Sequence, residues 1–208
     1  MPMSRRDHYH HGDLYNALAD AATALASAGG PDAIVLREVA RRVGVSATAA
    51  YRHFASHTDL LRVVKERAQG MLVDAMRVAL SSEPPVPDPG DDAERRLRAL
   101  GRAYVAFALE HRGLFRACFC DTHRLDDDVP DLGEFEAYRM VAQTLDELVV
   151  AGRLSPQGRV CGEVVAWASV HGLAMLLLDG PLRALPDDAR DIAVERTLDV
   201  IIAGLRTT

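Results

Sequence analysis

The segment from Leu36 to Phe54, with the sequence LREVARRVGVSATAAYRHF, constrains the fold of this chain most. Before Gly44, apolar residues recur at helical spacing, which predicts a short helix with one apolar face. A glycine after the last of them can close the helix in a left-handed conformation without Cβ strain. Ser46 can then accept a hydrogen bond from the free amides that open a second helix. The segment therefore predicts two short helices joined by a tight turn.

The second helix is predicted to have two different sides. Its packing face is expected to be formed by Ala47, Ala50, Tyr51 and Phe54, at positions i, i+3, i+4 and i+7. The opposite side is small, polar and basic, with Thr48, Ala49, Arg52 and His53. Such a helix, braced by a partner at a fixed angle, suits the DNA major groove. The pattern indicates a helix-turn-helix, and the alternative is an amphipathic helix pair that packs without DNA.

The same segment resembles the amino-terminal domain of the TetR family of transcriptional regulators. The likeness consists of an LREVA-type helix, a GVS turn, the YxHF pattern of Tyr51, His53 and Phe54, and the step ASHTDLL into the next helix. It is strong over roughly the first sixty residues and weak beyond them. Two positions depart from the family pattern, because His57 stands where a lysine is common and Ala50 where a larger residue or proline is common.

This resemblance implies DNA contacts. Tyr51 and His53 would touch the DNA backbone, and Arg52 between them would be the main base reader. The expected DNA-contacting residues are Arg37, Ser46, Ala47, Thr48, Tyr51, Arg52, His53 and His57. Arg5 and Arg6 could in addition enter the minor groove, although a solvated terminus is an equal alternative.

Charge and composition limit the classes of protein to which this chain can belong. The net charge of −6 argues against a nonspecific, charge-driven nucleic-acid binder. Residues 1–58 hold six arginines against five acidic residues, so DNA would be met by this less acidic end. The three cysteines do not form a disulfide framework. We find neither an apolar run long enough to span a membrane nor a signal region, so we expect a soluble cytoplasmic protein with no membrane partner.

The rest of the chain is predicted to be helical, which gives an all-α fold with two domains. A helix-turn-helix domain of three helices over residues 1–57 would be linked by a helix over 58–80, with Thr58 as its N-cap, to a ligand-binding and dimerisation domain over 81–208. A proline-rich loop at 81–90 marks the boundary. The later helices are expected at Asp91–His111, Leu114–Cys120, Phe135–Val150, Ser155–Leu178 and from Pro186 onward.

A ligand site is predicted among these later helices. Trp167 and His171 lie one turn apart and resemble a Trp-x-x-x-His-Gly element of some TetR members, whose helix lies between a ligand cavity and the dimer interface. A tryptophan bonded to a histidine within the core is the alternative. The expected lining is Tyr104, Phe107, Tyr138, Trp167 and His171. Because these helices show no cationic cluster on their apolar faces, the ligand should be largely apolar and neutral or weakly charged.

Metal binding and catalysis find little support in the sequence. Cys118, Cys120, His111 and His123 lie close together but lack a recognised zinc spacing, and the run Asp126–Asp128 lacks calcium-ligand spacing. We find no nucleophile beside a base and no nucleotide-binding fingerprint. We therefore expect no cofactor, no metal and no enzymatic activity.

The predicted function is sequence-specific transcriptional regulation, and the family resemblance implies a repressor. A homodimer would bind an inverted-repeat operator with its recognition helices roughly 34–36 Å apart, until a small-molecule effector favours another form. One alternative is a small-molecule-binding protein or enzyme that has kept the fold and lost operator binding. Another is a metal or oxidant sensor.

Overall fold

The computed structural model describes residues 11–82, 84–120 and 132–206. Within these ranges the chain forms ten α-helices, three short 3-10 helices and no strand, so the predicted all-α class is confirmed. The α-helices are α1 His11–Gly29, α2 Leu36–Val43, α3 Ala47–Tyr51, α4 His57–Ser82, α5 Pro89–Glu110, α6 Arg112–Cys118, α7 Glu136–Val150, α8 Pro156–Arg159, α9 Gly162–Leu178 and α10 Asp187–Arg206. The 3-10 helices are Pro31–Ala33, Leu132–Glu134 and Pro181–Ala184.

Backbone contacts divide the chain into two compact units. The first comprises the described parts of Met1–Ala68 and Gly113–Leu125, and the second those of Gln69–Arg112 and Asp126–Thr208. This division places α6 in the first unit, whereas the sequence-based boundaries place it in the carboxy-terminal domain. The reason is a close approach to α1, since a Cβ atom at Gly113 would lie 2.0 Å from the carbonyl oxygen of Ala26.

The first unit is built on small apolar side chains. The α1 helix packs against α2, and α2 packs against α3. The buried residues include Leu18, Ala22, Leu36, Val39, Ala40, Ala50, Phe54, Leu60, Val64 and Ala68. Because these side chains are short, the helices pack closely and hold the α2–α3 pair in one orientation.

The second unit is built around α5. This helix packs against α7, α9 and α10, and its inward side chains Leu97, Leu100, Tyr104 and Phe107 are buried. The α10 helix approaches α5 closely at Gly101, because a Cβ added there would lie 2.4 Å from Cδ2 of Leu198. The result is a helical bundle whose centre lies beside Gly101.

Several helix boundaries differ from the predictions, and two of these differences have an identifiable structural cause. The α5 helix begins at Pro89, before the predicted Asp91, because the Asp88 carboxylate accepts a hydrogen bond from the Asp91 amide at 2.9 Å and acts as N-cap. The helix predicted to run unbroken to Leu178 is interrupted after Arg159, and Cys161 adopts a left-handed φ of 56°.

The interruption between α8 and α9 has a packing cause. A Cβ at Gly158 would lie 2.1 Å from the carbonyl oxygen of Leu205, so α8 is packed tightly against the end of α10. The chain changes direction at Val160 and Cys161, and α9 then starts at Gly162. No helix within the described ranges is both long and apolar enough to cross a membrane.

Candidate DNA-binding face and ligand cavity

The turn between α2 and α3 has the geometry that the sequence predicts. Gly44 is left-handed, with φ 79° and ψ 26°, and the Val45 amide donates to the Ala40 carbonyl at 3.0 Å. The Ser46 hydroxyl oxygen accepts from the Ala49 amide at 3.1 Å and caps α3. Its own hydroxyl proton remains able to donate to another acceptor. The two helices thus form a helix-turn-helix.

The α3 helix and the two residues after it carry five of the eight predicted contact residues. Thr48, Tyr51 and Arg52 are exposed, and Ala47 and His53 are half-buried. The α3 helix itself ends at Tyr51, three residues before Phe54. The segment therefore presents a short surface with a methyl group, a phenol and a guanidinium.

Tyr51 lies at the edge of the packing face of α3 rather than inside it. Half of the Tyr51 side chain is exposed, while Phe54 is 2% exposed. Because α3 ends at Tyr51, the chain turns inward beyond it and Phe54 enters the core. Tyr15 of α1 stacks on the Phe54 ring, with centroids 4.8 Å apart. The Tyr51 phenol is consequently available on the outer surface.

The arginines of this unit differ in how their charge is compensated. Arg41 donates to the Glu38 carboxylate at 2.7 and 2.8 Å, and Arg42 donates to it at 3.1 Å. These hydrogen bonds lower the pKa of Glu38 to about 2, and the bond from Arg41 has the largest effect. Arg37 and Arg52 are exposed and form no ion pair with another described residue. Uncompensated positive charge is therefore available at Arg37 and Arg52.

His57 is held by the protein at the start of α4. Its Nε2 lies 2.7 Å from the Ile34 carbonyl oxygen, which can only accept, so Nε2 donates the hydrogen bond. The N-cap of α4 is Ser56, two residues before the predicted Thr58. Ser56 and Asp59 form a reciprocal capping box, with N···O distances of 2.9 and 3.1 Å. The predicted tail residues Arg5 and Arg6 lie outside the described residues.

The second unit encloses a small cavity of about 40 Å³. It lies between α5, α7, α9 and α10, with one side chain from α4, and its inner surface is apolar throughout. The lining residues are Met76, Leu97, Leu100, Gly101, Tyr104, Phe135, Ala137, Tyr138, Val141, Ala166, Trp167, Val170, Leu198, Ile201 and Ile202.

Three of the five residues predicted to line a ligand site are found at this cavity, namely Tyr104, Tyr138 and Trp167. Phe107 and His171 are not part of the lining. Phe107 is buried and its ring packs against His111, with centroids 4.9 Å apart. The α10 side chains on the lining could have been recognised from their apolar spacing, which instead suggested a dimer interface.

Two lining residues, Tyr104 and Trp167, form a hydrogen-bonded trio with His171, which lies behind Tyr104. The Tyr104 hydroxyl lies 2.8 Å from Nδ1 of His171 and 3.0 Å from Nε1 of Trp167. Indole N–H can only donate, so the hydroxyl accepts from Trp167 and donates to His171. Burial lowers the pKa of His171, which favours the neutral ring that this arrangement requires.

Among the described cysteines, Cys118 is buried, Cys120 is half-buried and Cys161 is exposed, and all three are free thiols. No group of three histidine, cysteine or acidic side chains in the described part of the chain could hold a metal ion. The Cys118 thiol is fully buried, and burial raises its pKa to about 12, so it stays protonated and unreactive. Of the other predicted candidates, His123 and the run Asp126–Asp128 lie outside the described residues.

Both α9 and α10 carry apolar residues that the chain itself leaves exposed. Val165 and Leu176 of α9 are 49% and 44% exposed, and Ile192 and Val200 of α10 are 63% and 66% exposed. Within each helix these residues recur at helical spacing, so each helix has an uncovered apolar stripe in addition to its buried face.

A helix-turn-helix unit joined to a helical unit with an internal cavity defines a DNA-binding transcriptional regulator. Comparisons with known proteins agree. Residues 97–201 match the family model of the tetracyclin repressor-like C-terminal domain, and residues 18–64 match that of bacterial regulatory proteins of the tetR family. The chain belongs to the TetR family of regulators.

Solved structures share this fold. A protein with unknown function from Rhodococcus sp. RHA1 is 29% identical, with a TM-score of 0.76, and the match covers 97% of this chain and 100% of that chain. A TetR variant from Acinetobacter baumannii in complex with minocycline is 21% identical, with a TM-score of 0.58 and coverage of 92% and 96%. No curated protein sequence matches the chain.

Proposed function

We propose that this protein is a homodimeric repressor that binds an inverted-repeat operator and is released from it by a small-molecule effector. The observation that carries the proposal is the pairing, in one chain, of an outward-facing α3 braced by α2 with a small apolar cavity in the second unit. Operator DNA lies in the cytoplasm, where the proposal places the protein. It assigns no catalytic step, cofactor or metal to the chain.

On the DNA side, the roles follow from exposure and charge. Arg52 is the proposed base reader, because its uncompensated guanidinium can donate two hydrogen bonds to a guanine. Thr48 offers a methyl group to a thymine. The remaining residues would contact the phosphate backbone or lie against it, namely Arg37, Ser46, Ala47, Tyr51, His53 and His57.

A dimer would cover the exposed stripes of α9 and α10. Two such helices from each subunit form a four-helix interface around a two-fold axis. The same axis relates the two α3 helices, so the operator half-sites should be inverted repeats roughly 34–36 Å apart.

The effector would bind in the cavity of the second unit. At about 40 Å³ the cavity is smaller than an engineered cavity of about 150 Å³ that binds benzene. An effector must therefore enlarge the cavity, so the liganded protein has a different conformation from the unliganded protein. A ligand that prefers the conformation with the enlarged cavity by a few kcal/mol shifts the population towards it.

The decisive experiment is selection of bound DNA from a random pool by the purified full-length protein, at stated salt. We expect a palindromic consensus sequence, and random DNA should not compete with it for binding to the protein. Recovery of no consensus, together with ligand binding in the cavity, would identify the protein as a small-molecule-binding member of the fold without operator binding.

A further inference from the structure

The aromatic residues of the cavity turn their polar atoms away from it. The Tyr104 hydroxyl uses its only proton on His171 and one lone pair on the Trp167 indole N–H. Burial and the neighbouring Glu163 carboxylate raise the pKa of Tyr138, so its phenol stays neutral. The cavity is thus lined by ring faces, ring edges and aliphatic side chains only.

Such a wall offers a ligand no hydrogen bond. A ligand hydroxyl or carboxylate placed there would lose its water without gaining a partner, which is unfavourable in an apolar site. Aromatic rings do provide favourable contacts, since Tyr138 and Trp167 meet edge to face with centroids 6.1 Å apart and Phe135 lies 6.3 Å from Trp167. A flat apolar ring can join such a cluster.

We propose that the effector class is small, uncharged and hydrocarbon-like, and that the Tyr104–Trp167–His171 trio forms a closed wall and makes no hydrogen bond to the ligand. This inference rests on the proposed effector site in the second unit. It corrects the expectation that His171 provides a polar group to the ligand, because the structure places His171 behind Tyr104.

The test uses ethylbenzene and benzyl alcohol, which differ by one methyl or hydroxyl group, with benzoate as a charged comparison. Binding to the full-length protein without DNA is followed by Trp167 fluorescence and by calorimetry. In the wild-type protein ethylbenzene should bind at least about tenfold more tightly than benzyl alcohol. The diagnostic variant is Tyr104→Phe, which leaves the Trp167 N–H and His171 Nδ1 without their hydroxyl partner.

In Tyr104→Phe the preference for ethylbenzene should shrink by about tenfold, because the ligand hydroxyl can now replace the missing phenol. Tyr138→Phe is the matched control and should leave the preference unchanged. The proposal is overturned if Tyr104→Phe weakens benzyl alcohol more than ethylbenzene, or if benzoate binds most tightly. Operator release is measured separately, so tight hydrocarbon binding without release would count against the repressor function alone.

A second observation concerns access to the cavity. Phe135 lines the cavity and also lines an open surface groove formed by α4 and the start of α7. The groove is completed by Gln69, Gly70, Val73, Asp74, Arg77 and Glu136. Across it, Arg77 of α4 forms an ion pair with Glu136 of α7. Phe135 is therefore common to the lining of the cavity and to that of the groove.

The first turn of α7 has no side-chain cap from its N-cap residue. That residue is Phe135, whose side chain cannot accept a hydrogen bond from the amides of the turn. The Arg77–Glu136 ion pair connects α4 and α7 across the groove, and because it is exposed, it is sensitive to salt. We infer that ligands enter from the groove when the Phe135 side chain moves aside, and that this ion pair slows the movement.

Stopped-flow measurement of Trp167 quenching by ethylbenzene tests the route. Phe135→Ala should raise the association and dissociation rate constants together by about tenfold or more, with a smaller change in Kd. Val141→Ala is the control, since Val141 lines the cavity but not the groove. Added salt should speed association in the wild-type protein and not in Arg77→Ala. An association rate unchanged by Phe135→Ala, in a variant with wild-type circular dichroism, overturns the route.

Discussion

Individual side chains on α3 differ in what they can offer to DNA. A guanidinium can read a base through two parallel hydrogen bonds, whereas a phenol or an imidazole offers one donor that suits a phosphate oxygen. Arg52 and Tyr51 are adjacent and both exposed. The proposed division of roles between them can therefore be separated by substitution.

Arg52→Ala should relax base preference and cost ~1–3 kcal/mol on the selected operator. Tyr51→Phe should weaken operator and random DNA by similar factors, because a phosphate contact carries no sequence information. Fluorescence anisotropy at fixed salt measures both. Arg183→Ala, at an exposed arginine of the second unit, is the control. Equal loss on every sequence with Arg52→Ala would remove Arg52 from the base-reading role.

The Glu38 carboxylate gives the first unit a stability that depends on pH. Its folded pKa of about 2 lies below the ordinary 4.5, so the stabilisation is fully present above pH 4.5 and disappears as the pH falls towards 2. The wild-type protein should accordingly be more stable than Glu38→Gln at pH 7, and the difference should vanish over this acidic range. Urea unfolding at several pH values measures it, and a difference that persists at pH 2 would contradict the assignment.

At the scale of the helices, the backbone conformation of a glycine decides whether its replacement by alanine raises or lowers the free energy of unfolding. Gly44 is left-handed with open space around its Cα, so Gly44→Ala should cost ~1–2 kcal/mol of unfolding free energy through backbone strain alone. Gly70 lies inside α4, also with open space, and Gly70→Ala should stabilise the protein by ~0.5–1 kcal/mol. Thermal unfolding of the two variants compares them directly, and a stabilising Gly44→Ala would exclude the strained turn.

Local signals were sufficient to predict most helices. The Gly44 turn and the Ser46 cap depend on neighbouring residues only, and both are present in the structure. The break at Cys161 could not be predicted, because it arises from the approach of Gly158 to Leu205, which is remote in sequence. The end of α3 at Tyr51 was missed as well, because helical spacing alone assumes that the helix continues to Phe54.

The cavity was only partly predictable. Tyr104, Tyr138 and Trp167 stood out as large side chains with polar atoms on aliphatic helices, and they line it. His171 was expected beside them because it is one turn from Trp167, yet the hydrogen bond to Tyr104 holds it behind the wall. Residues from α10 were missed because an apolar stripe does not reveal whether it faces a cavity or a second subunit.

For the whole molecule, the exposed stripes of α9 and α10 predict a dimer. Leu176→Glu or Val200→Glu should give a monomer at micromolar concentration, because a carboxylate in an apolar interface would be buried without a partner. Val150→Glu is the control, since Val150 is 90% exposed on α7. Sedimentation velocity measures the assembly. A wild-type protein that sediments as a monomer would contradict the proposed interface.

Release by an effector sets a relation between the two binding sites that can be measured from either side. If the effector lowers operator affinity by some factor, then operator DNA must lower effector affinity by the same factor, because both describe one free-energy cycle. We expect a factor of about 5–150, equivalent to ~1–3 kcal/mol.

Trp167 quenching, titrated with and without saturating operator, gives one side of the cycle, and anisotropy of labelled operator gives the other. Trp167→Phe, followed by calorimetry, should reduce the factor, because Trp167 lines the cavity, and should leave DNA binding without ligand unchanged. Effector binding that is indifferent to operator would show that the cavity has no part in regulation, even if the protein binds both.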